Sequence, residues 1–492
     1  MRFAFVILSS LFAFFPIDAG GQAPMSPAMV QKWANTMFYD GINVDLLPEF
    51  EDSYGVVFRD LNNDNLADIY IVRFRNLNRL FINRGPDKPF EDFTIKSGLG
   101  GNLMASKKRN LELGASAADC DNNGWPDVLI TGWRISTLFF NHRRGAEYEP
   151  LDLNKLFQGP VDANAGVWAD INTDGNLDLF LTDEYFYNRL LINQGFGNLK
   201  SAEDIYNLDL PPGNSQGAAF GDVDGDGFPD LYVCNWFGPD VFYRNIGGKV
   251  FKPVELSLPH LIDSLNSNGV SFGDIDNDGD LDLLVTDRNK KTCLYRNDTP
   301  PGDKRWQFTD ITVESGIQNH YPAYGSIIAD FNNDGFQDIF FTNIGPNQFY
   351  VNEGLGRFRL IFEEKAEIGP AIKNYSTGAA VADFDNDGDL DLFVANKDTI
   401  SILYRNPLNN QNFIRFHLEG IKSNADAIGA KIWLYRERKG DTAILQAYRE
   451  ISGGGGYLSF SEPIVHFGVN PAFTYKAKFL FPSGEEIVLQ NL

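Results

Sequence analysis

The residues in this chain best placed to do chemistry are oxygen ligands for a hard cation. Seven nonapeptides each carry a carboxylate or carboxamide at positions one, three, five and nine. They are Asp60, Asn62, Asp64 and Asp68; Asp119, Asp121, Asn123 and Asp127; Asp170, Asn172, Asp174 and Asp178; and Asp222, Asp224, Asp226 and Asp230. The series continues with Asp274, Asp276, Asp278 and Asp282; Asp330, Asn332, Asp334 and Asp338; and Asp383, Asp385, Asp387 and Asp391. Alternate positions on a tightly curled loop point inward together, and a carbonyl at position seven can add another oxygen. Ca²⁺ accepts six to eight such ligands in a forgiving geometry. Position six is Gly in six copies (Gly124, Gly175, Gly227, Gly279, Gly335, Gly388) and Asn65 in the first, as a positive φ there requires.

These loops are not EF-hands, which need a Glu at position twelve and flanking helices; the fourth loop has Val233 there, within a strand-like run. Asp, Asn and Gly also build ordinary turns. Turns do not need four oxygens, however, and crowded carboxylates repel unless neutralised. Up to seven Ca²⁺ are therefore expected, which would move the formal charge from −24 to about −10. The loops from Asp222, Asp274 and Asp383 hold four carboxylates each and are expected to bind most tightly. The first, with three carboxylates and no glycine, is expected to bind least.

Loops that recur at 59, 51, 52, 52, 56 and 53 residues need a repeated scaffold to hold them. Six units have Gly five residues before the first Asp, and all seven end a later strand in Asn: Asn83, Asn141, Asn193, Asn245, Asn297, Asn352 and Asn406. Each unit reads strand, acidic loop, strand, loop, strand, turn, outer strand. The expectation is an all-β chain: a seven-bladed β-propeller over residues 22–410, then a small β-sandwich-like domain over 411–492. The seventh unit lacks an obvious outer strand, and the segment Met37 to Leu47 is expected to supply it. Residues 1–21 read as a signal peptide, with Arg2, the apolar run Phe3 to Phe15, and small residues at Ala19, Gly20 and Gly21. Three cysteines give no disulfide framework for an exported chain, so metal is the expected source of rigidity.

With these loops and phased glycines, residues up to about 410 resemble the FG-GAP/VCBS repeat proteins, a group that includes integrin α-subunit propellers. The tail has NFIRFHLEGIKSNADAIGAKIWLY from Asn412, then REISGGGGYLSFSEPIVHFGV, then FPSG. It resembles the ASPIC/UnbV domain, with Phe481 where that family more often has Trp. The resemblance implies calcium binding, export and interaction with partners.

No constellation argues for catalysis. The strings GNSQG and GVSFG suggest nucleophile elbows, but both run into strands and both share the repeat glycine. The five histidines form no metal motif, and Gly453 to Gly456 reads as a turn. The net charge of −24 disfavours nucleic acid and anionic membranes. Loops on the side away from the acidic loops carry Phe74, Arg75, Trp133, Arg134, Tyr185 to Tyr187, Trp236, Phe237, Arg288 and Lys290. Aromatics beside Arg favour contact with an extracellular protein or glycan, and packing between blades is the alternative. The chain is thus expected to be a secreted calcium-binding interaction or adhesion module, with no membrane insertion after signal cleavage. Two other readings stand beside it: a propeller-scaffold enzyme acting on glycans or in biosynthesis, and a structural calcium protein without a partner.

Overall fold

The computed structural model describes residues 5–8, 25–39 and 52–492, apart from 86–87, 103, 105–110, 143–146, 158, 160, 209–213, 264, 301–302, 365–374, 409 and 439–441. Each of the seven repeats forms one sheet whose strands lie in chain order. The fourth is typical: Ser215–Gly221, Asp230–Asn235, Val241–Asn245 and Phe251–Pro253 pair antiparallel, with the acidic loop between the first two. The second strands are buried along their whole length, because a neighbouring sheet covers each face. First strands adjoin in sequence order, and Ser376–Ala382 of the seventh sheet adjoins Ser53–Arg59 of the first, closing the circle. An apolar cluster fills each of the seven junctions.

The phased asparagines seal the same junctions. Each buried Asn Nδ2 donates to the carbonyl of loop position two in the preceding sheet, at 2.6 to 3.2 Å. The ring of bonds closes through Asn83 to Phe384 O. Asn297, a sequence match for N-glycosylation, is one of the seven; it is buried and already bonded to Val223 O. A second match, Asn374, lies outside the described residues.

One expectation needs correction. Met37 does not begin a closing strand, because it ends a helix, Pro27–Tyr39. Residues 40–51 lie outside the described residues, among which the seventh sheet has three strands. The helix sets Val30, Trp33, Ala34, Met37 and Phe38 into the cluster between sheets six and seven. Trp33 Nε1 donates to Asn406 Oδ1 at 2.8 Å, and Gln31 Nε2 to Ile361 O at 2.8 Å. The three cysteines are buried and free.

Beyond the propeller, Phe413–Glu419 pairs with Val465–Gly468 and, on its other edge, with Phe5–Leu8. A second sheet runs Ile444–Glu450, Lys431–Glu437, Thr474–Leu480, Glu486–Gln490. Between the sheets lie Phe416, Phe467, Phe479 and the buried Phe481, in a cluster continuous with Trp168 of the third blade.

The C-terminal domain also returns a segment into the propeller axis. Gly453 O accepts from Trp168 N (2.9 Å), Gly456 exchanges bonds with Val270, and Leu458 O accepts from Ala115 N (3.0 Å). Phe460–Ser461 then pairs in parallel with Val57 and Phe58, and Ser461 Oγ accepts from Val381 N (3.1 Å). The Gly-rich run is thus more than a turn: it plugs the channel. The repeat glycines make room for it, since a Cβ on Gly269 would lie 2.5 Å from Gly456 O and one on Gly325 2.8 Å from Tyr457 Cβ.

Candidate metal centres and the opposite face

Each acidic loop is shaped by its own carboxylates. In six loops the Asp at position one accepts backbone N–H bonds from positions five and six, as Asp222 does from Asp226 (3.0 Å) and Gly227 (2.7 Å), while Asp274 takes the bond from position five alone (3.1 Å). The Asp at position nine takes one N–H on each oxygen; Asp230 accepts from Val223 (3.2 Å) and from ring Asn245 (2.8 Å). The curl needs two left-handed residues, not one. Position six has φ of +86° to +103° at its glycines and +63° at Asn65. Position four, which the sequence reading did not single out, is also left-handed in every loop: Asn63, Asn122, Thr173, Gly225, Asn277, Asn333 and Asn386. Its asparagines reach forward to the next loop, as in Asn63 Nδ2 to Gly124 O at 2.6 Å and Asn386 Nδ2 to Asn65 O at 2.8 Å.

Positions one, three and nine converge in four of the seven loops, and position five lies outside these groups. In the loops of Asp119, Asp222, Asp274 and Asp383, one oxygen from each of the three Asp lies within 4.8 Å of the others. Burial drives these acids toward their neutral form. It lifts Asp127 and Asp274 to about 7 and Asp170 and Asp383 to about 6, with Arg449 and Arg415 partly offsetting the effect at Asp274 and Asp383. Asp68, Asp178, Asp230, Asp282, Asp338 and Asp391 are raised well above the usual carboxylate range for the same reason. Asp274 Oδ2 and Asp276 Oδ1 are buried without a hydrogen-bond donor. Hard acceptors left bare and desolvated fit a divalent cation.

The C-terminal domain sits on this acidic face, which the sequence did not foretell. Lys431 pairs with Asp222, and Arg415 with Asp383. Gly468 N donates to Asp330 Oδ2 (2.8 Å), and Glu450 Oε1 accepts from Asp222 N (3.2 Å). Asp426 bridges Arg59 (2.9 Å) and the backbone N of Asp119 (2.7 Å). The only hint in the sequence was the presence of charged residues in otherwise small or apolar strings, such as NADAIGAK.

On the opposite face the aromatic residues gather around the channel mouth. Trp133 meets Phe74 edge-on (5.6 Å), and its Nε1 donates to Glu184 of the next blade (2.9 Å). Trp236 Nε1 donates to Asn268 of the next blade (2.7 Å), and Arg288 stacks over Trp236 (4.6 Å) and Tyr324 (4.9 Å). The two tryptophans therefore tie blades together while staying partly exposed. Phe237 is 72% exposed and Tyr185 55%, and the Phe237 backbone N donates to Asn266 of the next blade at 3.4 Å. Arg75, Arg134 and Phe237 share a left-handed turn position, and Lys290 is left-handed one place further along.

The geometry defines a class: a ring of sheets strung with cation-type acidic hairpins and capped by a β-domain. The chain belongs to the FG-GAP-like repeat family, whose model matches residues 60–130, 170–233, 222–285 and 330–394, and it carries an ASPIC and UnbV domain over 420–492. It is similar to cartilage acidic protein 1 of Homo sapiens, 24% identical over 96% of this chain and 75% of the relative. The Xenopus tropicalis counterpart is 29% identical over 91% of this chain and 74% of the relative. Among solved structures, a lectin from Burkholderia pseudomallei aligns over 75% of this chain and 96% of its own, with TM-score 0.48 and 13% identity.

Proposed function

We propose that the protein is an exported, calcium-loaded propeller that binds an extracellular protein or glycan through the face away from its acidic loops. The observation that carries the metal reading is the set of buried, donorless oxygens at Asp274 and Asp276 among convergent carboxylates. Ca²⁺ would be held by positions one, three, five and nine of each loop, supplying the charge that the buried acids lack. The partner reading is supported by coverage: the C-terminal domain lies on the acidic face, leaving Phe237 exposed beside the Arg288–Trp236 stack, and Tyr185 exposed, on the other. Export is supported by the apolar run after Arg2, and cleavage at Ala19 to Gly21 would release Phe5–Leu8 from the edge of the C-terminal sheet.

The test is a pulldown from extracellular extract with Ca²⁺ or chelator, using the wild type and a Phe237→Ser/Tyr185→Ser double variant. A partner lost with the double variant, whose melting temperature is unchanged, supports the reading. Equal capture by both proteins removes this face.

A further inference from the structure

The three loops with four ligand carboxylates differ from the rest in one further way. In each, the residue before the ring asparagine is Arg: Arg244, Arg296 and Arg405. The three-carboxylate loops have Ile82, Phe140, Ile192 and Val351 at that place. Arg244 lies 2.6 Å from Asp224 and 3.3 Å from Asp226. Arg405 lies 2.5 Å from Asp385 and 3.7 Å from Asp387. Arg296 is bonded to Asp298 and acts through space on Asp276 and Asp278.

A second cation reaches position one from the C-terminal domain: Lys431 at Asp222 and Arg415 at Asp383, both pairs largely buried. Loops four and seven thus set four carboxylates against two fixed cations. Glu450 and Glu462 of the C-terminal domain face the same two cations, so Lys431 and Arg415 are each shared between a loop and a neighbouring carboxyl.

We propose that Arg244 and Arg405, with Lys431 and Arg415, are built-in counter-cations that weaken metal binding at the most acidic loops and couple it to the seating of the C-terminal domain. This rests on the calcium reading above and reverses the ranking expected from carboxylate number alone. A fixed positive charge a few ångströms from a divalent ion repels it, and in a partly solvated loop removing one such charge is expected to tighten binding about tenfold. Linkage makes the effect mutual: metal at loop seven loosens the Arg415–Asp383 pair, and metal at loop four the Lys431–Asp222 pair.

Hydrogen exchange read by mass spectrometry on the full chain, over a range of free Ca²⁺, resolves individual loops. Wild type, Arg405→Gln, Arg415→Gln and Lys431→Gln are compared, with Arg305→Gln as an exposed control. Arg405 is 41% exposed, so its variant keeps the test open if the buried ones misfold. The expected result is that the Ca²⁺ midpoint for protecting residues 383–391 falls about tenfold in Arg405→Gln and Arg415→Gln, that of 222–230 falls in Lys431→Gln, and 170–178 stays put in all. Midpoints unmoved or raised in the folded variants overturn the proposal while leaving the calcium reading intact. A wild type whose loops gain no protection from Ca²⁺ overturns both.

Discussion

At the scale of single residues, the acidic loops are built to be unstable without a cation. Asp170 and Asp383 sit at about 6, and Asp127 and Asp274 at about 7, because burial penalises their charge. A carboxyl whose folded pKa exceeds its unfolded value of about 3.9 holds its proton more tightly when folded. The chelated protein is therefore expected to lose stability as pH rises from about 4 to about 7, and Ca²⁺ to abolish that slope. Melting curves in EDTA and in millimolar Ca²⁺ across this range check it; a chelated protein equally stable at both ends would show that burial does not hold these protons. The ring asparagines make a separate prediction. Asn245 Nδ2 spans Ile171 O (2.9 Å) and Pro229 O (3.2 Å), and its Oδ1 accepts from Gly248 N (3.0 Å). Asn245→Ala strands these buried groups and is expected to cost about 2–4 kcal/mol in urea unfolding. The recurrence of these asparagines was visible in the sequence. Their role was not, because the acceptor lies about seventy residues back in the chain, within reach only once neighbouring blades are packed. The curl of the acidic loops was legible for the opposite reason: a nonapeptide encodes its own turn.

At the scale of elements, the one misread segment carried a legible signal. Val30, Trp33, Ala34, Met37 and Phe38 stand at helical spacing, after Ser26 and Pro27, which suit a helix start. Expecting a missing strand hid the period. Trp33→Ala removes a buried ring from the junction of sheets six and seven along with its bond to Asn406. It is expected to cost about 3–5 kcal/mol, measured by the shift of the denaturation midpoint. The repeat glycines are a different case, because nothing local to them shows what they make room for. In Gly269→Ala the new methyl would press on two backbone carbonyls, Gly456 O and Tyr324 O. Backbone in a closed ring yields little, so a loss of about 1–3 kcal/mol is expected. Tolerance of this change would mean that the axial plug is not seated as described.

At the scale of the whole molecule, the propeller and the C-terminal domain are parts of one cooperative body. The apolar cluster that fills the C-terminal sandwich runs on through Trp168 into the junction of blades two and three. The axial segment bonds to inner strands of the first, second, third, fifth and seventh blades. Ion pairs from Lys431, Arg415 and Asp426 pin the domain to the acidic face. Apolar, hydrogen-bond and ion-pair contacts thus cross the linear boundary near residue 410. A propeller cut at that point would expose Trp168, leave an unfilled glycine-lined channel, and strip Asp222 and Asp383 of their counter-charges. Calorimetry of the calcium-loaded full chain is expected to show a single transition whose van't Hoff and calorimetric enthalpies agree, and residues 22–411 alone to show no sharp transition. Two separate transitions in the full chain, or a truncated propeller melting as sharply as the parent, would mean that ring closure owes nothing to the threaded tail.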